Sequence, residues 1–450
     1  MANEADRAST RVRLPMEIWV LVASAFVIAV GYGLVAPALP TFARSFDVGV
    51  TAASFVVSSF AIFRLLFAPA SGRLVSKLGE LRVYLVGLLI VSISTGACAF
   101  AQEYWQLLLY RALGGIGSTM FTVAAVSLLV RLAPAEMRGR ASGMWATGFL
   151  LGNIAGPLIG GALIVVSLRA PFLVYALVLL VAIAITGLLL RGREGVGVRT
   201  GEQAVVMRFA DAFRHPTFRA ALTSSFANGW LVFGVRVALV PLFVVEVLAE
   251  QPSWAGISLA IFAAGNASTL IIAGRIADHR GRRPPLLVGL VLCTIGTVYL
   301  GFTTSLPTFL AASLLTGIGS GLINPPMTAA VADVIGSRAR GGPVLAGFQM
   351  AADLGAIIGP VLAGAIAEVW NFSAAFAVTG AVSLVALVFW WRAPETLPGR
   401  DTSTAAQDVA AECGRLDEGP PVPLPDAITP VEPAAPSEPS EPEGPTSRSR

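Results

Sequence analysis

GNIAGPLIGG, residues Gly152–Gly161, returns as GAIIGPVLAG at residues 355–364, an offset of 203. Two more stretches repeat at nearly the same distance. GRLVSKLGEL from Gly72 faces GRIADHRGRR from Gly274, and GIGS at Gly115–Ser118 recurs at Gly317–Ser320, both 202 residues on. Three glycine-rich matches at one offset imply a chain built as two similar halves.

Each match lies in or beside a long apolar run, which ties the repeat to a membrane. The 450 residues are 55% apolar and 13% charged, whereas soluble domains carry about 25% charged residues. A soluble enzyme is excluded. Twelve runs approach or exceed the ~20 residues that cross ~30 Å of hydrocarbon: 17–40, 51–72, 82–101, 105–130, 141–165, 170–190, 218–245, 254–276, 285–304, 307–332, 343–367 and 372–391. The expected fold is all-α: twelve transmembrane helices in two six-helix pseudo-symmetric bundles around a central cavity. An axis along the membrane normal relates them.

The organisation follows. Residues 1–16 form an N-terminal arm, 17–190 the first bundle, 191–217 a central connection and 218–392 the second bundle. Residues 393–450, with the run PSEPSEPEGP, cannot bury a core and are expected to be disordered. Charge divides the same way: +11 up to residue 392 and −7 beyond it. If both termini are cytoplasmic, 26 of the 31 basic residues face the cytoplasm and the outer loops hold only Arg44 and Arg169. The positive-inside rule therefore orients the chain. The expected setting is a bacterial inner membrane, multi-pass, with both termini cytoplasmic.

Little else carries chemistry. Two histidines and three scattered cysteines offer no disulfide framework, and neither a metal site nor an organic cofactor is expected. No phosphate-binding GxxxxGK[ST] loop exists for ATP-driven work. The reading is not an enzyme, takes a proton gradient as its energy source, and has the lipid bilayer, a small molecule and protons as partners. No nucleic-acid partner is implied, and a monomer is expected.

Five stretches together resemble the major facilitator superfamily, and within it the twelve-spanner drug:proton antiporters. GYGLVAPALP (Gly31–Pro40) resembles the first-helix motif, RALGGIG (Arg111–Gly117) the fourth-helix motif, and Gly152–Gly161 the fifth-helix Gly-Pro motif. Gly274–Arg283 is a near-complete copy of the cytoplasmic loop motif and Gly72–Leu81 a degraded one. The resemblance implies proton-coupled export of small molecules such as drugs or metabolites by alternating access. Uptake of an anionic or polar metabolite, or a membrane sensor that moves nothing, stand as alternatives.

The motifs have physical meanings. Gly152, Gly156, Gly160 and Gly161 permit close helix approach, and Pro157 removes a backbone donor; the resemblance gives this motif the role of preventing leak. In the loop motif, Gly274 and Gly281 frame Asp278, which can meet a neighbouring helix N-terminus, while Arg282 can reach Asp333. These contacts are expected to latch the cytoplasmic side and to break when the cavity opens inward. The first half departs from the pattern. Gly72, Lys77 and Gly79 are kept, but Ser76 replaces the aspartate, Glu80 the arginine, and Arg131 stands where the repeat has Asp333. The pair Arg282–Asp333 thus recurs with its charges reversed as Glu80–Arg131.

Charges inside spans are expensive and default to function. Asp353 is the one acid deep within a run and becomes the candidate proton site, with Arg111 implicated by the resemblance. The alternative for Asp353 is a fixed pair with a buried arginine. Arg64, Arg236, Asn228, Trp230, Asn266, Asn324 and Gln349 are the candidate substrate-cavity residues, each open to the plainer reading of interhelical hydrogen bonding.

Overall fold

The computed structural model describes residues 15–133, 137–190, 205–336 and 339–397. The N-terminal arm, most of the central connection and all but the first five residues of the Pro/Glu-rich tail lie outside the described residues. Twelve described helices are long and apolar enough to cross a membrane. They are α1 Met16–Arg44, α2 Val50–Leu78 and α3 Glu80–Cys98, α4 Tyr104–Leu132, α5 Arg138–Val166, α6 Ala170–Leu190 and α7 Pro216–Glu246. After these come α8 Ser253–Arg280, α9 Arg283–Gly301, α10 Leu306–Ile335, α11 Gly342–Val369 and α12 Phe372–Arg392. The chain is a multi-pass, all-α membrane protein. α1 begins and α12 ends at one face, the termini face, opposite the far face.

Two helices are interrupted. In α1 the helical bonding breaks around Pro37, between Val35 and Leu39. In α7 a π-helical stretch, Gly229–Val235, separates two α-helical pieces. Such stretches cluster at functional sites because they re-aim the side chains that follow, here Arg236.

The helices flanking the loop motifs run on past their expected ends. The second run was expected to end at Gly72 and the eighth at Ile276, yet α2 continues to Leu78 and α8 to Arg280. Nothing in RLVSKL or RIADHR stops a helix. The stops are Gly79 and Gly281, at φ +85° and +110°, where only glycine is comfortable. Gly72, Ser76, Lys77, Gly274 and Asp278 are therefore helical, and the loop in each half is only one or two residues long.

Packing reproduces the repeat. A side chain at Gly115 would run into the Phe60 carbonyl, and one at Gly317 into that of Phe262, again 202 residues on. Gly87 meets Gly117 as Gly289 meets Gly319. Gly152 packs on the Phe26 carbonyl of α1, and Gly355 on the Phe226 carbonyl of α7. Glycines at these crossings let backbones touch, the main route to tight helix association in lipid. Short polar bonds add to it: Ser24–Thr186 at 3.0 Å and Ser258–Ser313 at 2.9 Å. A two-residue parallel ladder, Val205–Val206 with Ala339–Arg340, ties the end of the central connection to the second half.

Candidate functional site

The halves meet along two seams, α2 against α11 and α5 against α8. At the far face Gly364 packs on Thr51 and Ser54, while Gly161 packs on Ser253 and Gly256. The second contact is the first carried through the repeat. Beyond these glycines the α2–α11 seam is polar. Glu368 accepts from the Thr51 backbone N–H at 2.8 Å, and the Ser58 hydroxyl donates to the Ile357 carbonyl at 2.7 Å. Arg64 Nε lies 3.6 Å from Asp353 Oδ1. The line from Thr51 to Arg64 covers thirteen residues of α2, roughly 20 Å at 1.5 Å per residue. The seam thus runs from the far mouth to mid-helix.

Toward the termini face the same four helices part. A side chain added at Gly72, Gly143 or Gly342 would meet nothing within 4 Å. Leu66 of α2, Ile271 of α8 and Leu345 of α11 are exposed. The interior is closed at the far face and open at the termini face.

Asp353 therefore has the arginine partner that the sequence left open, and the partner comes from the other half. Gln349, one turn earlier, approaches the same carboxylate. Among the described residues, no acid pairs with the remaining buried arginines, Arg111 and Arg236. The Arg111 guanidinium sits 4.2 Å over the Phe60 ring, and that of Arg236 sits 3.8 Å over Phe262. Phe60 and Phe262 are themselves repeat equivalents. Arg111 Nε and Arg236 Nε and Nη1 are buried without a hydrogen-bond partner, an arrangement that costs free energy unless water or an anionic group completes it.

The other cavity candidates divide. Asn228 approaches Asn324 at 3.5 Å, and Asn266 donates to the Ser320 hydroxyl at 3.0 Å; both join helices of the second half. Trp230 turns away from the cavity, since its indole N–H donates to Thr379 of α12 at 3.2 Å and the ring is buried. Its aromatic bulk seats α7 on α12, the plainer of the two readings.

At the termini face the reversed pairs form. Glu80 lies 3.1 Å from Arg131, and Arg282 Nε lies 3.1 Å from Asp333. The expected latch takes a different form. Each pair joins helices of one half, and both are intact while the termini face is open, so they brace each half and do not bolt the halves together. Among the described residues Asp278 meets no neighbouring helix start: it accepts from Arg282 at 2.6 Å, and its side chain is 67% exposed.

A different acid caps a helix here, and the sequence reading missed it. Glu395, just past α12, accepts from the backbone N–H groups of Arg282 at 2.8 Å and Arg283 at 3.0 Å, at the start of α9. The Thr396 hydroxyl donates to Asp333 at 2.9 Å, and Thr217 donates to the Pro394 carbonyl at 3.4 Å. Burial pushes the Glu395 carboxyl up, but N–H donors from Arg282, Arg283, Leu397 and Thr396 outweigh it and hold the group below the ordinary glutamate range. In the first half the acid at the equivalent helix start is Glu80 itself, the first residue of α3. Because position 282 carries arginine instead, the second half takes its cap from the end of α12. The only sequence signal was PET directly after the last span.

Comparison with known proteins places this geometry. The Major Facilitator Superfamily family model matches residues 21–251 and 221–435. Multidrug resistance protein 1 of Bacillus subtilis (strain 168) is 27% identical over 396 residues, covering 84% of this chain and 97% of that protein. The class E tetracycline resistance protein of Escherichia coli is 27% identical over 369 residues, covering 77% and 87%. A solved bacterial homolog to the human lysosomal transporter Spinster, inward-facing and unoccupied, superposes with a TM-score of 0.70 at 18% identity. That superposition covers 84% of this chain and 96% of the other.

Proposed function

The chain belongs to the Major Facilitator Superfamily, and from that premise we propose that this transporter exports small molecules in exchange for protons. Its termini face is the cytoplasmic face of a bacterial inner membrane, on the strength of the positive-charge bias. The conformation described is then inward-facing. Drug-resistance proteins among the relatives support export, as does the Gly-Pro motif packed at the α1–α5 and α7–α11 crossings.

The observation that carries the proton reading is the Arg64–Asp353 pair. It joins the two halves at the inner end of the α2–α11 seam. A proton on Asp353 cancels the attraction and frees Arg64. Loss of that proton restores the pair across the seam. Protonation and the choice of open face are linked through one contact.

The unpartnered Nε of Arg111 and the unpartnered Nε and Nη1 of Arg236 favour cargo carrying a carboxylate or other anionic group over a purely cationic one. The test is accumulation of a chemically varied panel in cells lacking and overexpressing the protein, with and without an uncoupler. Lower accumulation on overexpression, abolished by the uncoupler, is expected. Higher accumulation would make the protein an importer, and no change for any compound would favour the sensor reading.

A further inference from the structure

Arg44 Nε donates to Glu246 Oε1 at 2.8 Å, and the two residues are 202 positions apart. That separation is the repeat offset itself, so Arg44 ends α1 where Glu246 ends α7. A point and its image under a two-fold rotation lie at equal distances on opposite sides of the axis. Side chains that touch their own image therefore enclose that axis. The pair stands on the pseudo-two-fold axis, which also runs through the space between the halves.

The surroundings agree with this placement. On one side lies the contact of Gly364 with Thr51 and Ser54, and on the other that of Gly161 with Ser253 and Gly256. The two contacts are equivalent under shifts of 203 and 202 residues. Closed seams flank the axis, and the ion pair fills the gap between them. A carbonyl aims the arginine, since Arg44 Nη1 also donates to Val48.

Symmetry breaks at the outer end of one seam. Glu368 supplies the start of α2 with the acceptor that Gly49 cannot, whereas its repeat equivalent is Val165 and the start of α8 has no such cap. At the same level the α5–α8 seam closes on the packing of Gly161 against Ser253 and Gly256. Opposite charges at one repeated position, 44 and 246, thus supply an attraction on the axis that identical halves cannot have.

We propose that the Arg44–Glu246 pair is the central bolt of the far-side gate, broken each time the cavity opens to the far face and remade each time it closes. The proposal deepens the alternating-access reading and rests on it. It requires that losing either charge shift the protein toward the far-open state, and that exchanging both charges restore the balance. Because the residues lie on the axis, the exchanged pair occupies the same place.

The test reads the gate without cargo. Ser54→Cys, on the α2 side of the seam, is buried in the closed state and is labelled by a membrane-impermeant maleimide added at the far face, in a Cys413→Ser background. We expect Arg44→Gln and Glu246→Gln each to raise the labelling rate several-fold, and Arg44→Glu with Glu246→Arg to return it toward the parent rate. Unchanged labelling in both single variants would overturn the proposal, as would an exchanged pair that labels as fast as either single variant. Equal detergent-extracted yields of all variants exclude misfolding as the cause. If labelling responds as expected while the parent moves no compound in the panel, the export reading fails and the gate stands.

Discussion

Glu80 and Arg131 meet at 3.1 Å in the first half, and Arg282 and Asp333 meet at 3.1 Å in the second, with acid and base exchanged at both ends. One contact has kept its geometry while its signs have swapped. Each pair fastens the short α2–α3 or α8–α9 turn to the termini end of α4 or α10. A pair that stays within one half is conserved through any rocking of the halves, so its work is to keep each half rigid.

The reversed pair should behave as a unit. Glu80→Arg sets two cations side by side and should reduce transport several-fold, since a partly exposed pair contributes up to about 1 kcal/mol and repulsion adds to its loss. Arg131→Asp in the same chain should restore part of the rate. Initial rates at matched membrane levels decide it, and equal impairment in the single and double variants would remove the pairing.

Asp353→Asn keeps the shape of the side chain and removes the titration. The variant should reach the membrane and move cargo down its gradient, yet lose accumulation driven by a pH gradient. Arg64→Gln should weaken the same coupling from the other side of the seam. Uphill pumping by Asp353→Asn at the parent rate would show that the proton is carried elsewhere.

Gly256 leaves no room for a side chain, because a Cβ there would strike the Pro157 carbonyl and Gly161 of the other half. Gly256→Val should wedge the α5–α8 seam and bias the protein toward the far-open state. Far-side labelling of a nearby cysteine should rise while binding of cargo from the termini face weakens. Labelling at the parent rate would mean that the seam absorbs the added side chain without opening.

Arg236 sits on Phe262 with its Nε and Nη1 unpartnered, and the proposed function assigns its charge to an anionic cargo. Arg236→Gln should weaken binding of an aromatic carboxylate by about tenfold or more, as losing a charged hydrogen bond costs ~1.5–3 kcal/mol, and should leave the uncharged methyl ester nearly unaffected. Binding to the purified protein by tryptophan quenching separates the cases. Equal loss for both ligands would assign Arg236 to the scaffold.

Glu395 links the end of α12 to pH. Its carboxyl is held below the ordinary range, so the stability it adds is present above the unfolded-state value and disappears as pH falls through the lowered folded-state value. The thermal midpoint of the solubilised protein should fall on acidification across the acidic carboxylate range. Glu395→Gln should lower the midpoint at neutral pH and flatten that part of the profile. An unchanged profile would mean that the helix start is capped equally well without charge.

Much of the molecule was legible in the chain itself. Lipid cannot satisfy open backbone groups, so runs of about 20 apolar residues must be helices, and the 202-residue repeat placed them in two alike bundles. The same offset paired Glu80 with Arg131, because repeat-related positions share local geometry. What it left undecided were contacts made between elements far apart in sequence. Asp353 has Arg64 beside it only because α2 and α11 form a seam, and Trp230 leaves the cavity only because Thr379 of α12 accepts its N–H. Glu395 caps α9 because the chain leaving α12 passes the start of that helix, which no periodicity records. Arg44 and Glu246 were each visible as charges at the ends of runs, but their meeting depends on where the pseudo-symmetry axis passes. Helix formation is local in a membrane, whereas the partners of a buried charge are set by how whole helices pack, and that belongs to the tertiary structure.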